Sequence, residues 1–160
     1  VMDHVQKQLL PKLEELAAAE GTYAEKLHAF VRGYVLHTIE NRKAVGIFLR
    51  EFNALSPRRR KKVTEVRDVY DQFVHDLLIA GRDAGEFDPA LDLRVATYSI
   101  FGMVNWLYQW YRPGGPLTPE EIASNMATCA VNAVGAHVSR SHSQPRSRSR
   151  KSVSPSAAAG

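Results

Sequence analysis

The sequence predicts an all-α fold of about six helices. Three observations carry this. Apolar residues recur at helical spacing through most of the chain, helix-start signals precede those stretches, and no stretch alternates apolar and polar residues as a half-buried strand would. With 160 residues, 44% of them hydrophobic, the chain can bury one core without disulfide or metal.

Residues 2–19 place Val5, Leu9, Leu13 and Leu16 on one stripe, with Pro11 as a bend and Gly21 as the stop. This stretch is helical from its first residues, with no cap and no targeting signal, so the first helix is expected to be longer than the part present. Thr22 and Glu25 form a capping box for a helix to about Asn41, whose buried stripe is Leu27, Phe30, Val31, Tyr34 and Val35. A shorter helix carries Val45, Phe48, Leu49 and Phe52. Ser56 and Pro57 start a longer one, with Val63, Val66, Tyr70, Phe73 and Leu77 facing inward until Gly85. Asp88-Pro89 reads as the start of an aromatic helix and Thr118-Pro119-Glu120-Glu121 as the start of the last. No internal repeat is evident.

The net charge of +4 is unevenly placed. From residue 140 onward there are five basic residues and no acidic one, which leaves 16 basic against 17 acidic before it. Residues 140–160, with "PRSRSRKSVSPS", are therefore expected to be a disordered basic Ser/Arg-rich tail, and 1–139 the folded domain. Cys129 has no partner for an internal disulfide and is expected as a small buried residue in a reducing, cytoplasmic setting.

The stretch "FGMVNWLYQWYRPGG" lies in the predicted aromatic helix, residues 95–111. It has no charge between Arg94 and Arg112, but Thr97, Ser99, Asn105 and Gln109 interrupt about 17 residues, too short and polar for a membrane span. At about 100° per residue, Val95, Ser99, Gly102, Met103, Trp106 and Trp110 share one face. Ile100, Val104, Leu107 and Tyr111 share a second, and Tyr98, Phe101, Asn105 and Tyr108 the third. A helix apolar all round must be covered all round, and a second subunit is the economical cover. The last helix offers Ile122, Ala123, Met126, Ala127, Ala130, Ala133 and Val134 as a broad face of mostly small side chains. Gly102, Trp106, Trp110, Ile122, Met126, Ala130 and Ala133 are thus expected in a four-helix interface about a twofold axis. Packing within one chain is the alternative.

These helices in this order, with "AGRDAGEFDPALD", the aromatic helix and "LTPEEIASNMATCAV", resemble the C-terminal ligand-binding and dimerisation domain of TetR-family transcriptional regulators over roughly residues 2–139. The ending "WYRPGG" is most similar to regulators of fatty-acid and sterol breakdown. The resemblance implies a homodimer with an effector cavity among the middle helices, for an acyl-coenzyme A thioester or another apolar small molecule. It implies a parent protein that binds operator DNA through a helix-turn-helix expected ahead of residue 1, which nothing in this chain matches.

On that reading the pocket lining is Phe30, Tyr34, Phe48, Phe52, Tyr70, Val74, Phe101, Asn105 and Tyr108, aromatic with one polar group in the helix interior. Arg58, Arg59 and Arg60, followed by Lys61 and Lys62, are candidate anion-binding residues, as is Arg112 beside Pro-Gly-Gly; a solvated face and a helix C-cap are their plainer roles. The six histidines include no HxxxH, and there is no CxxC, GxSxG or glycine-rich phosphate loop, so no metal, no cofactor and no enzyme is expected. A helical interaction protein without a small-molecule ligand is the rival reading.

Overall fold

The computed structural model describes residues 11–135, apart from the side chains of Phe48 and Asn53. The expectations for Val5, Leu9 and the 140–160 tail lie outside these residues. Residues 11–18 are helical (α1). They are followed by α2, Tyr23–Glu40; α3, Arg42–Glu51; a short 3₁₀ turn, Phe52–Ala54; α4, Pro57–Asp83; α5, Leu93–Asn105; α6, Leu107–Trp110; and α7, Pro119–Ala133. No strand occurs among the described residues. None of their helices is long and apolar enough to cross a membrane.

Local chemistry sets most boundaries. Thr22 and Thr118 form full capping boxes with Glu25 and Glu121, each threonine hydroxyl accepting from the glutamate N–H while the carboxylate accepts from the threonine N–H. Glu121 titrates below the usual carboxylate range because its charge accepts the Thr118 backbone and hydroxyl hydrogens. Ser56 holds the cap position of α4 without a side-chain hydrogen bond, and Pro57 supplies the helical φ of the first turn.

Two starts and stops differ from expectation. The aromatic helix begins after Asp92, whose carboxylate accepts from Arg94 N and Val95 N; Asp88 instead closes a tight turn by accepting from Ala90 N. The helix is also not one rod. It breaks at Trp106, where Gln109 N donates to Trp106 O across three residues, a 3₁₀-type bond that tightens the turn and re-aims α6.

α2 is the central helix. α7 lies along it, while α4 and α5 pack on each other and on α2, and α3 meets α6. Leu27, Val31 and Val35 of α2 and Ala123 and Ala127 of α7 have no exposed surface, and Val74, Leu78, Val104 and Leu107 complete the middle of the core. The α1–α2 turn, the α4–α5 loop and the end of α7 meet at one end of the bundle: Ala24 N donates to the Glu86 carboxylate at 3.0 Å, and Asp88 N to Val134 O at 3.0 Å. The α2–α3 corner, the start of α4 and the end of α6 occupy the other.

Helix α4 ends in a Schellman motif. Glu86 N donates to Gly81 O and Gly85 N to Arg82 O, with Gly85 at φ +78°. The returning chain buries the Phe87 ring directly on the Cα of Gly81, where a Cβ would overlap ring carbons. Gly81→Ala should therefore displace Phe87 and cost about 1–3 kcal/mol. Thermal unfolding followed by circular dichroism checks this, and an unchanged Tm would show that the contact is loose.

Candidate functional site

The predicted pocket residues divide into two groups. Phe30 and Tyr34 from α2, Tyr70 and Phe73 from α4, and Phe101 from α5 form one aromatic cluster. Tyr34 stands edge-on to Phe101 at 5.5 Å between ring centroids and to Tyr70 at 5.2 Å, Phe30 stacks on Tyr34 at 5.8 Å, and Phe73 approaches Phe30 at 5.3 Å. These are the separations of rings in direct contact. Val74 lies fully buried beside them in the core. Phe73 belongs to the cluster although its stripe position marked it only as core. The signal for it was present: Tyr70 and Phe73 are three residues apart on one helix face.

Burial governs the ionisation of this cluster. It pushes the Tyr34 phenol up to about 12, with the nearby Asp71 carboxylate adding to the effect. Tyr70 is raised further still, by burial first and then by Tyr34. Burial also raises Asp71, opposed by Arg67 and reinforced by Asp68. At neutral pH both phenols are uncharged, so the cluster presents apolar ring faces with hydroxyl groups and suits binding better than proton transfer.

The second group lies at the α3–α6 end. Tyr108 packs on Gly46, where an added Cβ would come within 3.3 Å of its ring, and beneath the Arg50 guanidinium at 5.9 Å. Phe52 lies under Arg60 at 5.7 Å. Asn105 is the half-buried last residue of α5. The side chain of Phe48 lies outside the described part. Of the candidate anion-binding residues, Arg58 and Arg59 are exposed on the first turn of α4. Arg112 is turned back on the chain, donating to Gln109 O and Tyr111 O at 3.0 Å each, the helix C-terminal role.

Within the single chain the aromatic segment is covered on two sides and bare on the third. Ile100, Phe101, Val104, Leu107 and Tyr111 are buried, whereas Val95 is 61% exposed, Tyr98 59%, Trp106 61% and Trp110 47%, with Gly102 also exposed. Gly102, Trp106, Trp110 and Ala133 thus stand on the surface, as an intersubunit role needs. Ile122, Met126 and Ala130 do not: α7 uses this face against α2 in the same chain, and the three are at most 8% exposed. The close approach permitted by the alanines is intramolecular. Cys129 is likewise corrected, being exposed on the side of α7 away from α2.

Two open clefts flank α4. One, of about 450 Å³, is lined almost wholly by apolar surface from Leu13, Ala17, Val69 and Phe73 and edged by Glu14, Asp68 and Gln72. The other, of about 390 Å³, is polar and lies between α4 and α5, with Asp71, His75, Arg94 and Tyr98 in its wall. No group of three His, Cys, Asp or Glu side chains able to hold a metal occurs among the described residues.

The sequence profile described as the tetracyclin repressor-like C-terminal domain matches residues 20–134. No curated protein matches the chain. Among solved structures, a transcriptional regulator of the TetR/AcrR family from Thermobifida fusca is 26% identical with a TM-score of 0.70, over 82% of this chain and 69% of that one. AibR, solved in complex with isovaleryl coenzyme A and operator DNA, is 29% identical with a TM-score of 0.66, over 80% of this chain and 67% of that one. PfmR, a TetR-family regulator from Thermus thermophilus, is 25% identical with a TM-score of 0.70, over 82% of this chain and 71% of that one.

The buried phenols give a pH dependence. The folded-state value of Tyr34 lies above its unfolded value of 10.0, so the stability that follows from keeping it neutral is present below pH 10 and is lost as pH rises through about 12. Tyr34→Phe should retain more of its stability above pH 10 than the unsubstituted chain. Alkaline titration followed by tyrosinate absorbance and circular dichroism tests this; ionisation of Tyr34 near pH 10 in the folded protein would refute it.

Proposed function

Because the chain belongs to the tetracyclin repressor-like C-terminal domain family, we propose that it is the effector-binding and dimerisation domain of a ligand-responsive transcriptional regulator. In this reading the operator is bound by a helix-turn-helix ahead of residue 1, and this domain sets the spacing of two such units. The observation that carries it is the bare aromatic flank of α5 and α6. Two tryptophans, a tyrosine and a valine, each near half exposed or more, form a surface that a second copy would desolvate. The polar outer face of α7, with Asn125, Thr128, Cys129 and Asn132, lies on the surface as well and would form the remainder of the interface.

The proposed effector is a short-chain acyl-coenzyme A thioester. Supporting this are the 29% identity to AibR, whose structure holds isovaleryl coenzyme A, and an aromatic cluster of the size to receive a branched acyl group. The rings touch one another in the structure. An acyl group would therefore bind a minor state in which Tyr34 and Phe101 part, and would shift the population toward it. Arg50 above Tyr108 and Arg60 above Phe52 stand where the cluster approaches the surface and suit the phosphates of the coenzyme.

Two measurements test the reading. In sedimentation velocity the chain should run as a dimer and Trp106→Glu as a monomer with unchanged helicity; a monomeric unsubstituted chain would overturn the dimer. Isovaleryl coenzyme A at about 100 times its Kd should stabilise the chain by about 2.7 kcal/mol, raising Tm, and Phe101→Ala should abolish that rise. A dimer with no Tm response to this or other acyl-coenzyme A esters would instead favour an assembly domain without a small-molecule ligand, for which the closed ring packing already speaks.

A further inference from the structure

The described residues are nearly balanced in charge, yet the fold sorts that charge to its two ends. At the end holding the α2–α3 corner, the start of α4 and the end of α6, Arg42, Lys43 and Arg50, the run Arg58 to Lys62, and Arg112 bring nine cations together against Glu40, Glu51, Glu120 and Glu121. All nine are exposed or half-exposed. At the opposite end Glu20, Glu25, Asp83, Glu86, Asp88 and Asp92 face Lys26, Arg82 and Arg94. The sorting is a property of the fold, because α3, α4 and the turn after α6 are far apart in sequence.

The basic end is unfavourable for the domain itself. Five successive cations wrap every side of the first turns of α4, where the positive pole of the helix adds to their mutual repulsion. Its described ion pair is the long, solvent-exposed contact of Lys61 with Glu65 at 4.0 Å, of the kind that contributes little. Six of the nine cations are arginines, whose planar fork matches phosphate oxygens. Helix α1 points from the basic end toward the acidic one, so a DNA-binding unit ahead of residue 1 would attach on the basic side.

We propose that this basic end is a surface for the DNA sugar-phosphate backbone, giving the domain its own sequence-independent contact with DNA. The repulsion concentrated there is relieved when phosphates take the place of solvent counterions, and released counterions favour the complex. The biological setting rests on the regulator reading, but the contact itself belongs to this chain and can be measured without a helix-turn-helix.

The test uses the full 160-residue chain and a fluorescein-labelled duplex of arbitrary sequence, with anisotropy followed across salt concentrations. Affinity should fall with salt, with a log–log slope of about −0.9 per phosphate contacted. The triple variant Arg58→Gln, Arg59→Gln, Lys61→Gln should make the slope shallower by about 2 and weaken binding at low salt several-fold. It should do so equally in a chain whose Arg140, Arg146, Arg148, Arg150 and Lys151 are replaced by glutamine, which separates the basic end from the tail. An unchanged slope in the triple variant, binding that vanishes with the tail substitutions alone, or preference for anionic phospholipid vesicles over the duplex would overturn the proposal. Sedimentation and isovaleryl coenzyme A shifts on the triple variant confirm its fold and keep failure here distinct from failure of the regulator reading.

Discussion

The close packing of α7 on α2 determines what the rest of the molecule can do. α7 presents Ala123, Ala127 and Ala130 among Ile122, Met126, Val131 and Val134, and this mixture of short and long side chains lets the two helices approach over the length of α7. Once that apolar face is spent inside the chain, α7 has only polar and small groups to show outside. The surplus apolar surface then falls on α5 and α6. Their buried flanks, Phe101 toward α2 and Leu107 and Tyr111 toward the core, fix the orientation that turns Val95, Tyr98, Trp106 and Trp110 outward.

The sequence disclosed the helices more fully than their partners. Both capping boxes could be read because Thr22–Glu25 and Thr118–Glu121 are short-range chemistry, complete within four residues. The same is true of Gly85 at the end of α4. Periodicity, by contrast, says that a face is covered and not by what. The Ile122–Met126–Ala130 face was correctly read as buried and wrongly given to a second subunit, because the pattern is the same for either neighbour. The break at Trp106 carries no proline or glycine at the break itself and follows from how α6 must turn to meet α3. Asp88-Pro89 and Asp92-Leu93 were both plausible starts, and the bond of Asp88 N to Val134 O, made across the bundle, reserves the first for a turn.

The candidate site was partly legible for the same reason. Phe30, Tyr34, Tyr70 and Phe101 converge because each lies on the buried stripe of a helix that touches α2 or belongs to it. That the rings fill the space between them, leaving clefts instead along α4, depends on distances no spacing rule supplies. The separation of charge between the two ends was hidden by the balanced total. Only the fold brings Arg42 and Arg50 beside the Arg58 run.

The clasp between Asp88 and Val134 has a practical side. It pins the last turn of α7 at the acidic end of the bundle, whereas α4, 27 residues long, spans roughly 40 Å from there to the opposite pole. Any dye, purification handle or surface tether joined behind Gly135 is therefore launched from the pole remote from the arginines. A molecule immobilised by such an attachment would keep its cationic cap turned toward the bulk solution.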